Sequence, residues 1–174
     1  GPVIKLSAGK DFSSPKVKRE VLNLAKEKKP DFVIIGPEEP LAEGIVDELQ
    51  KIGIPCVGPT RKLAQLESSK AFTRNLLAKY NIPGNPEYRV FEKVAGIEDY
   101  LRHLGDYVVK PDGLTGGKGV RLSGSHLHSV EHALEYCSEL IRTQSKVVIE
   151  EKLDGEEFRL QAFCDGITVH DMIV

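Results

Sequence analysis

The stretch VVKPDGLTGGKGVRLSG, residues 108–124, contains residue types that bind phosphate. Four glycines surround one lysine in it: Gly113, Gly116, Gly117, Lys118 and Gly119. Glycine allows a close backbone approach and positive φ, so that backbone N–H groups can point at phosphate oxygens. The lysine adds a mobile positive charge. The stretch is therefore a candidate phosphate-binding loop, and an ordinary long hairpin loop is the alternative.

Two common phosphate loops do not fit this spacing. A P-loop needs glycine five positions before Gly117, where Asp112 stands, and a hydroxyl residue after Lys118, where Gly119 stands. It also needs a following helix, whereas VRLS alternates like a strand. The glycine spacing of the dinucleotide-binding G-x-G-x-x-G turn is absent as well. The sequence instead predicts a flap between two antiparallel strands.

Two further lysines and a charged hairpin extend this candidate site. Lys110 ends the apolar run YVVK and can point beneath the flap, while Lys70 begins the helix after SS and can approach the same place. A lysine in such a position needs an anionic partner, so together the two predict a triphosphate cradle; for each lysine alone, a solvated surface charge is the alternative. Downstream, VVIEEKLDGEEF reads as a strand end and turn. Its backbone can pair with an adenine edge and its carboxylates with ribose hydroxyls; a solvated charged hairpin is the alternative.

The apolar patterns predict an α/β fold in two parts. Residues 15–59 read as helix, strand, helix, strand, with short continuous apolar strands typical of a parallel sheet buried on both faces. A boundary is expected near residues 59–68. The rest reads as α+β, and Asp165-Gly166 predicts a hairpin. The expected elements are helices over 15–29, 40–52, 60–80, 96–105 and 127–141, and strands over 31–37, 54–59, 87–91, 107–111, 118–123, 146–151, 157–164 and 167–174.

Composition narrows the functional classes. The 174 residues carry a net charge of −2, which gives no support to a nucleic-acid partner. No apolar run reaches the roughly 18 residues of a membrane span, so no membrane partner is expected. The three cysteines are expected to be buried free thiols in a reducing cytoplasm, with a metal site or disulfide as the alternative. His128 and His132 suit a metal by spacing, but a solvated helix start is favoured.

Four segments in order resemble the phosphoribosylamine–glycine ligase family of the ATP-grasp superfamily: IIGPEEPLAEGIVDEL, IPCVGPTRKLAQLESSKAF, VVKPDGLTGGKGV and IEEKLDGEEF. The first two are the most specific, and the likeness covers residues 31–166. It implies a parallel-sheet pre-ATP-grasp domain followed by ATP-grasp subdomains with antiparallel sheets. Residues 1–60 would be a partial N-terminal substrate domain and 61–174 the ATP-grasp domain, with a nucleotide-flap subdomain at about 70–150 and a larger, truncated subdomain from about 151.

The resemblance also implies roles for single residues. The ATP phosphates would be bound by Lys70, Lys110, Gly116, Gly117, Lys118 and Gly119. Adenine and ribose would be bound by Glu150, Glu151, Leu153 and Glu157. The amine substrate would be bound by Gly36, Pro37, Glu38 and Pro40, at the carboxyl end of a strand. No catalytic general base is evident, and no metal ligand is expected in this chain.

The implied activity is the ATP-dependent joining of glycine to 5-phosphoribosylamine through a glycyl phosphate. ATP and Mg²⁺ (or Mn²⁺) would be needed, with the metal ligands expected beyond Val174, so the chain looks like an internal fragment that is inactive alone. A cytoplasmic monomer or weak homodimer acting on small molecules is expected. The alternatives are another ATP-grasp carboxylate–amine ligase, a biotin-carboxylase-like enzyme, or a non-catalytic nucleotide-binding fragment.

Overall fold

The computed structural model describes residues 11–116, 118–158 and 160–172. Its first part alternates helices with two short strands, which pair in parallel with Val33 opposite Cys56. Leu49, Ile45 and Val46 are fully buried between these strands and the first helix. The elements are α1 (Pro15–Lys28), β1 (Val33–Ile34), α2 (Glu38–Ala42), α3 (Ile45–Lys51) and β2 (Cys56–Val57).

The prediction that this sheet is buried on both faces is wrong for the described residues. Val33 and Ile35 pack into the apolar cluster of α1 and α3, but Ile34 between them is 67% exposed. Successive side chains of a strand point to opposite faces, and the described helices cover one of them. The continuous apolar run of residues 33–35 therefore does not correspond to continuous burial, since burial alternates along the strand.

The single helix predicted over 40–52 is two helices. Gly44 lies between α2 and α3 with φ of +77°, a conformation that side-chain-bearing residues rarely adopt. A Cβ added there would lie 3.0 Å from Nε of Arg61, so the space is also taken. The four-residue spacing of Leu41, Ile45 and Leu49 continues across Gly44, so the apolar pattern alone does not reveal the break.

A second kink divides the helical segment that follows. Helices α4 (Arg61–Ser68) and α5 (Lys70–Lys79) are separated by Ser69, whose backbone is extended. Ser69 caps α5, because its Oγ accepts a hydrogen bond from the amide of Phe72. Lys70 is therefore the first residue of a new helix, as predicted.

A four-stranded antiparallel sheet forms the second part, in the order β3-β6-β4-β5. Two helices cover one face and bury Ile97, Leu101, Cys137 and Ile149. The predicted change from parallel to antiparallel sheets is thus confirmed. The elements are β3 (Tyr88–Phe91), α6 (Ile97–Leu104), β4 (Tyr107–Pro111), β5 (Arg121–Leu122), α7 (Val130–Gln144) and β6 (Val147–Glu151).

The last described segment is the predicted hairpin, β7 (Ala162–Cys164) and β8 (Val169–Asp171), which are antiparallel. Asp165 stabilises its turn by accepting hydrogen bonds from the amides of Ile167 and Thr168. Cys164 is exposed, so the expectation that every cysteine is buried is wrong here, because no described element covers this hairpin face. Across the described residues, the helices are too short or too polar to cross a bilayer.

Candidate functional site

The structure brings Lys70 and Lys110 together beneath the start of the glycine loop. Lys110 Nζ lies 2.6 Å from Oε2 of Glu150, and Lys70 Nζ donates to the carbonyl of Gly113 at 2.9 Å. Burial lowers the pKa of Lys70 below its ordinary value; Asp112 opposes this shift and the charge of Lys110 adds to it. Two ammonium groups that repel each other in a half-buried place favour an anion between them.

Glu150 is the internal counter-ion of this cluster, and its side chain is 3% exposed. Arg74 of α5 donates two hydrogen bonds to this carboxylate, from Nε to Oε1 at 2.7 Å and from Nη2 to Oε2 at 2.9 Å. Burial alone would raise the pKa of Glu150, but the hydrogen bonds from Arg74 and Lys110 outweigh it and hold this pKa below its usual value. Three elements, α5, β4 and β6, are therefore tied together at one carboxylate.

Arg74 is a site residue that the sequence analysis missed. It follows Lys70 by four positions on α5, so both side chains lie on the same face of the helix. This four-residue spacing could have predicted that Arg74 belongs to the same site as Lys70, because side chains four positions apart on a helix are neighbours. Asn85 fixes the same turn by donating to the carbonyl of Arg74 at 3.2 Å.

Asp112, the first residue after β4, ties the loop to the kink before α5. Its carboxylate accepts hydrogen bonds from Ser69 Oγ at 3.1 Å and from the amide of Ala71 at 3.0 Å. Lys146 Nζ lies 3.5 Å from Oδ2 of the same group. The entry to the glycine loop is thus fixed to α5, close to Lys70.

The glycine loop joins β4 to β5, which are antiparallel, as predicted. Lys118 donates its amide to the carbonyl of Thr115 at 3.0 Å, and its side chain is exposed. Gly116 and Gly119 both have positive φ, +59° and +94°. Gly117 lies outside the described residues. Two described glycines of the loop thus adopt a backbone conformation that side-chain-bearing residues rarely take, and the role of the loop in binding phosphate stays a prediction.

Tyr136 of α7 holds the far end of the loop. Its hydroxyl donates to the carbonyl of Gly119 at 2.7 Å, while the guanidinium of Arg121 lies 3.8 Å from its ring centroid. A Cβ on Gly119 would lie 3.0 Å from Pro111 Cγ. The loop is thus anchored at both ends, and the exposed residues lie between the anchors.

The residues predicted to bind adenine and ribose occupy the end of β6 and the segment beyond it. The Glu150 side chain faces the lysines, and Glu151 accepts from the amide of Glu87 at 2.8 Å. Leu153 and Glu157 are exposed. Their contacts with a nucleotide stay predictions.

The residues predicted to bind the amine substrate lie elsewhere, after β1. Gly36 and Glu38 line a cleft of about 350 Å³ that extends to Glu67 and Ser68, just before Lys70. Pro37 is exposed, whereas Pro40 is buried. The cleft is also lined by Leu41, Pro59, Ala64 and Gln161.

The described ranges hold no group of three or more His, Cys, Asp or Glu side chains arranged for a metal ion. His128 lies just before α7 and His132 lies in its first turn, with ring centroids 6.2 Å apart, and the nitrogen Nδ1 of His128 lies 3.2 Å from the carbonyl of Gly124. The metal ligands expected after Val174 stay a prediction.

Comparisons with known proteins identify the family of the chain. Residues 4–67 match the family model of the phosphoribosylglycinamide synthetase N domain, and residues 68–174 match that of its ATP-grasp (A) domain. The phosphoribosylamine–glycine ligase of Methanosarcina barkeri is 48% identical over 147 residues, covering 84% of this chain and 34% of the relative. That of Methanopyrus kandleri is 43% identical over 169 residues, covering 94% and 38%. The chain spans about a third of the length of the curated relatives that it matches.

Solved structures share the fold. The phosphoribosylamine–glycine ligase of Thermotoga maritima matches with a TM-score of 0.66 at 26% identity, covering 86% of this chain and 37% of that one. The D-alanyl-alanine synthetase A of Vibrio cholerae matches with a TM-score of 0.66 at 16% identity, covering 81% and 43%, and this shows likeness of fold alone. The two family-model matches together span nearly the whole sequence, and on them the chain belongs to the phosphoribosylglycinamide synthetase family of ATP-grasp proteins.

Proposed function

We propose that this chain supplies the nucleotide-binding part of an ATP-dependent ligase that joins glycine to 5-phosphoribosylamine in purine biosynthesis. A glycine carboxylate oxygen attacks the γ-phosphorus of ATP, and ADP leaves. The amine of phosphoribosylamine then attacks the carbonyl carbon of glycyl phosphate, and phosphate leaves to give glycinamide ribonucleotide. The single observation that carries the proposal is the match of both consecutive parts of the chain to this one family.

The lysine cluster is the proposed phosphate site. Lys70, Arg74 and Lys110 lie beside two buried carboxylates, Glu150 and Asp112. Three positive charges therefore face two negative ones, and the cluster has an excess of positive charge. Such an excess in a half-buried place is best neutralised by a polyanion. Lys70 and Lys110 would hold the triphosphate, and their fixed positions would neutralise the charge of the transferred group.

The glycine loop would close over the same phosphates. Gly116, Gly117 and Gly119 would offer backbone N–H groups, and Lys118 would bring its charge from the exposed side. Glu151 and Leu153 would frame the adenine and Glu157 the ribose. Glu150 would also belong to the adenine site, although its side chain stays bonded to Lys110. No side chain is assigned as general acid or base, since the task of the site is to position the reactants.

The amine substrate is assigned to Gly36, Pro37, Glu38 and Pro40, of which Gly36 and Glu38 line the cleft. The cleft extends to Ser68, two positions before Lys70, and this supports an amine site next to the phosphate site. Mg²⁺ or Mn²⁺, when bound, would neutralise part of the negative charge of the phosphates. We expect its ligands in the family's region that corresponds to positions after Val174.

The remaining predictions follow the same assignment. We retain a substrate domain over 1–60 and an ATP-grasp domain over 61–174, with the flap subdomain at about 70–150; two separate apolar clusters support this division. Small charged metabolites are the expected partners, in the cytoplasm, for a monomer or weak homodimer. Other ATP-grasp ligases share the fold at lower identity, and that likeness does not favour their substrates over these.

Calorimetric titration with Mg-ATP tests the nucleotide part. Lys110→Ala and Lys118→Ala each remove one cation, and a lost charge-assisted hydrogen bond of about 1.5–3 kcal/mol corresponds to roughly 10- to 100-fold in Kd. Lys93→Ala, an exposed lysine between β3 and α6, is the matched control and should leave Kd unchanged. Unaltered affinity in Lys110→Ala would refute the phosphate site.

Turnover tests the ligase assignment itself. The protein, in a form as long as its relatives, should convert glycine, phosphoribosylamine and ATP to glycinamide ribonucleotide with one ADP for each product. Replacing glycine by D-alanine or by bicarbonate separates this function from that of other ATP-grasp enzymes. ADP formation with either of those, and none with glycine, would contradict the proposal.

A further inference from the structure

Asp112 occupies an unusual place for a loop carboxylate. Its side chain is 8% exposed although it begins the glycine loop, and both of its oxygens are engaged. The hydroxyl of Ser69 and the amide of Ala71 donate hydrogen bonds to it, and the ammonium of Lys146 forms an ion pair with it at 3.5 Å. With its oxygens engaged by these three groups, Asp112 acts on the site through its neighbours.

One of these bonds closes the first turn of α5. The first amides of a helix have no partner within it, and they need an acceptor from outside. Ser69 accepts from the amide of Phe72, and Asp112 accepts from the amide of Ala71, which lies 41 positions before it. A carboxylate is also favoured at this positive end of the helix dipole. The helix that carries Lys70 is therefore capped by the residue that directly follows the strand carrying Lys110.

This cap determines the position of Lys70. Lys70 stands between Ser69 and Ala71, the two residues that Asp112 holds, so its backbone is fixed on both sides. Its ammonium then donates to the carbonyl of Gly113, the residue after Asp112. Lys110 lies two residues before Asp112 on β4. One carboxylate thus sets the relative position of both lysines and the point at which the glycine loop begins.

We propose that Asp112 is a positioning residue for phosphate binding: by capping α5 it holds Lys70 beside Lys110 and fixes the point at which the glycine loop begins. This inference rests on the proposed ATP site. It predicts a particular selectivity. Losing Asp112 weakens contacts to the β- and γ-phosphates, which need both lysines and the loop, and leaves adenosine recognition at β6 intact.

The test compares ATP with AMP, which lacks the β- and γ-phosphates. In Asp112→Ala we expect the Kd for Mg-ATP to rise about 10-fold or more, the value of one charge-assisted contact, with the Kd for AMP within about 2-fold. Asp112→Asn keeps an acceptor for the Ala71 amide and should restore at least half of the lost binding free energy. Asp31→Ala, an exposed carboxylate before β1, is the matched control.

Amide hydrogen exchange without nucleotide gives a readout of the cap itself. The Ala71 amide should exchange about 10-fold faster in Asp112→Ala, because a first-turn amide that loses its acceptor opens to water. Core amides such as that of Ile149 should keep their protection, which separates local release from unfolding. In Asp112→Asn the exchange of Ala71 should stay near that of the unchanged protein.

Three results would overturn the inference, and they are distinguishable. If the unchanged protein binds ATP and Asp112→Ala binds it equally well, the inference fails and the proposed function stands. If the affinities for ATP and AMP fall by the same factor, or if the exchange of Ala71 is unchanged, Asp112 has no positioning role. If the folded, unchanged protein binds no ATP, the proposed site fails and the inference fails with it.

Discussion

Replacing Arg74 should destabilise the fold, because Arg74 holds a buried carboxylate. In Arg74→Met two charge-assisted bonds to Glu150, at 2.7 and 2.9 Å, are lost. Breaking a buried ion pair by removing one partner costs about 3–5 kcal/mol when the other charge is left alone. Here Lys110 remains at 2.6 Å from Glu150, so the carboxylate keeps one counter-ion. We therefore expect a loss of about 2–3 kcal/mol in the free energy of unfolding, no larger than the lower end of that range.

Urea unfolding at neutral pH measures this loss. Arg102→Met is the matched control, since Arg102 bonds Glu98 on the exposed face of α6 and its removal should not move the midpoint measurably. In the Glu150→Gln background, Arg74→Met should cost less than in the unchanged protein, because no buried charge is then left with one partner fewer. If Arg74→Met changes the unfolding free energy no more than Arg102→Met does, the reasoning is wrong.

The same pair predicts a pH dependence. The pKa of Glu150 is lowered in the folded state, so its ionised form contributes stability above its ordinary value of 4.5, and this contribution is lost as the pH falls through the lowered value. The difference between the unchanged protein and Arg74→Met should therefore be full at neutral pH and narrow in acid. A difference that widens below the ordinary pKa would contradict the assignment.

Two further predictions concern the glycine loop and Lys70 of α5. Gly119→Ala should lower the free energy of unfolding by about 1–3 kcal/mol, since φ is +94° and the new Cβ would meet Pro111 at 3.0 Å; Gly116→Ala, with open space around it, should cost less in the same urea titration. The affinity for Mg-ATP should fall as the pH rises toward the ordinary lysine value of 10.5, because the pKa of Lys70 is lowered and its neutral form loses the attraction to phosphate. Lys70→Arg should flatten that fall in calorimetric titrations, and an unchanged slope would exclude Lys70 as its source.

Local sequence was sufficient to place the glycine loop and the lysine on its strand. The alternation of VRLS predicts a strand after the loop, and the structure confirms antiparallel pairing of Val108 with Leu122. The same reasoning directs Lys110 to the face of the sheet where Glu150 lies. These are features that a period of two residues determines, whatever the rest of the chain does.

Long-range partners were beyond the reach of such patterns. Arg74 and Glu150 are 76 positions apart, and they meet only because β6 inserts between β3 and β4. Spacing along the chain does not contain that strand order. The exposure of Ile34 was missed for a related reason, since an apolar run does not reveal how many faces of its sheet are covered.

The position of β6 in the sheet has a consequence for how the chain folds. During synthesis β3, β4 and β5 leave the ribosome before β6, yet among the described strands β3 pairs with β6 alone and stays unpaired until β6 arrives. A hairpin of β4 and β5 can form early, whereas the other half of the sheet waits for residues 147–151. Non-local pairing of this kind slows folding. Arg74 and Lys110 therefore receive their shared carboxylate in the same late step that completes the sheet.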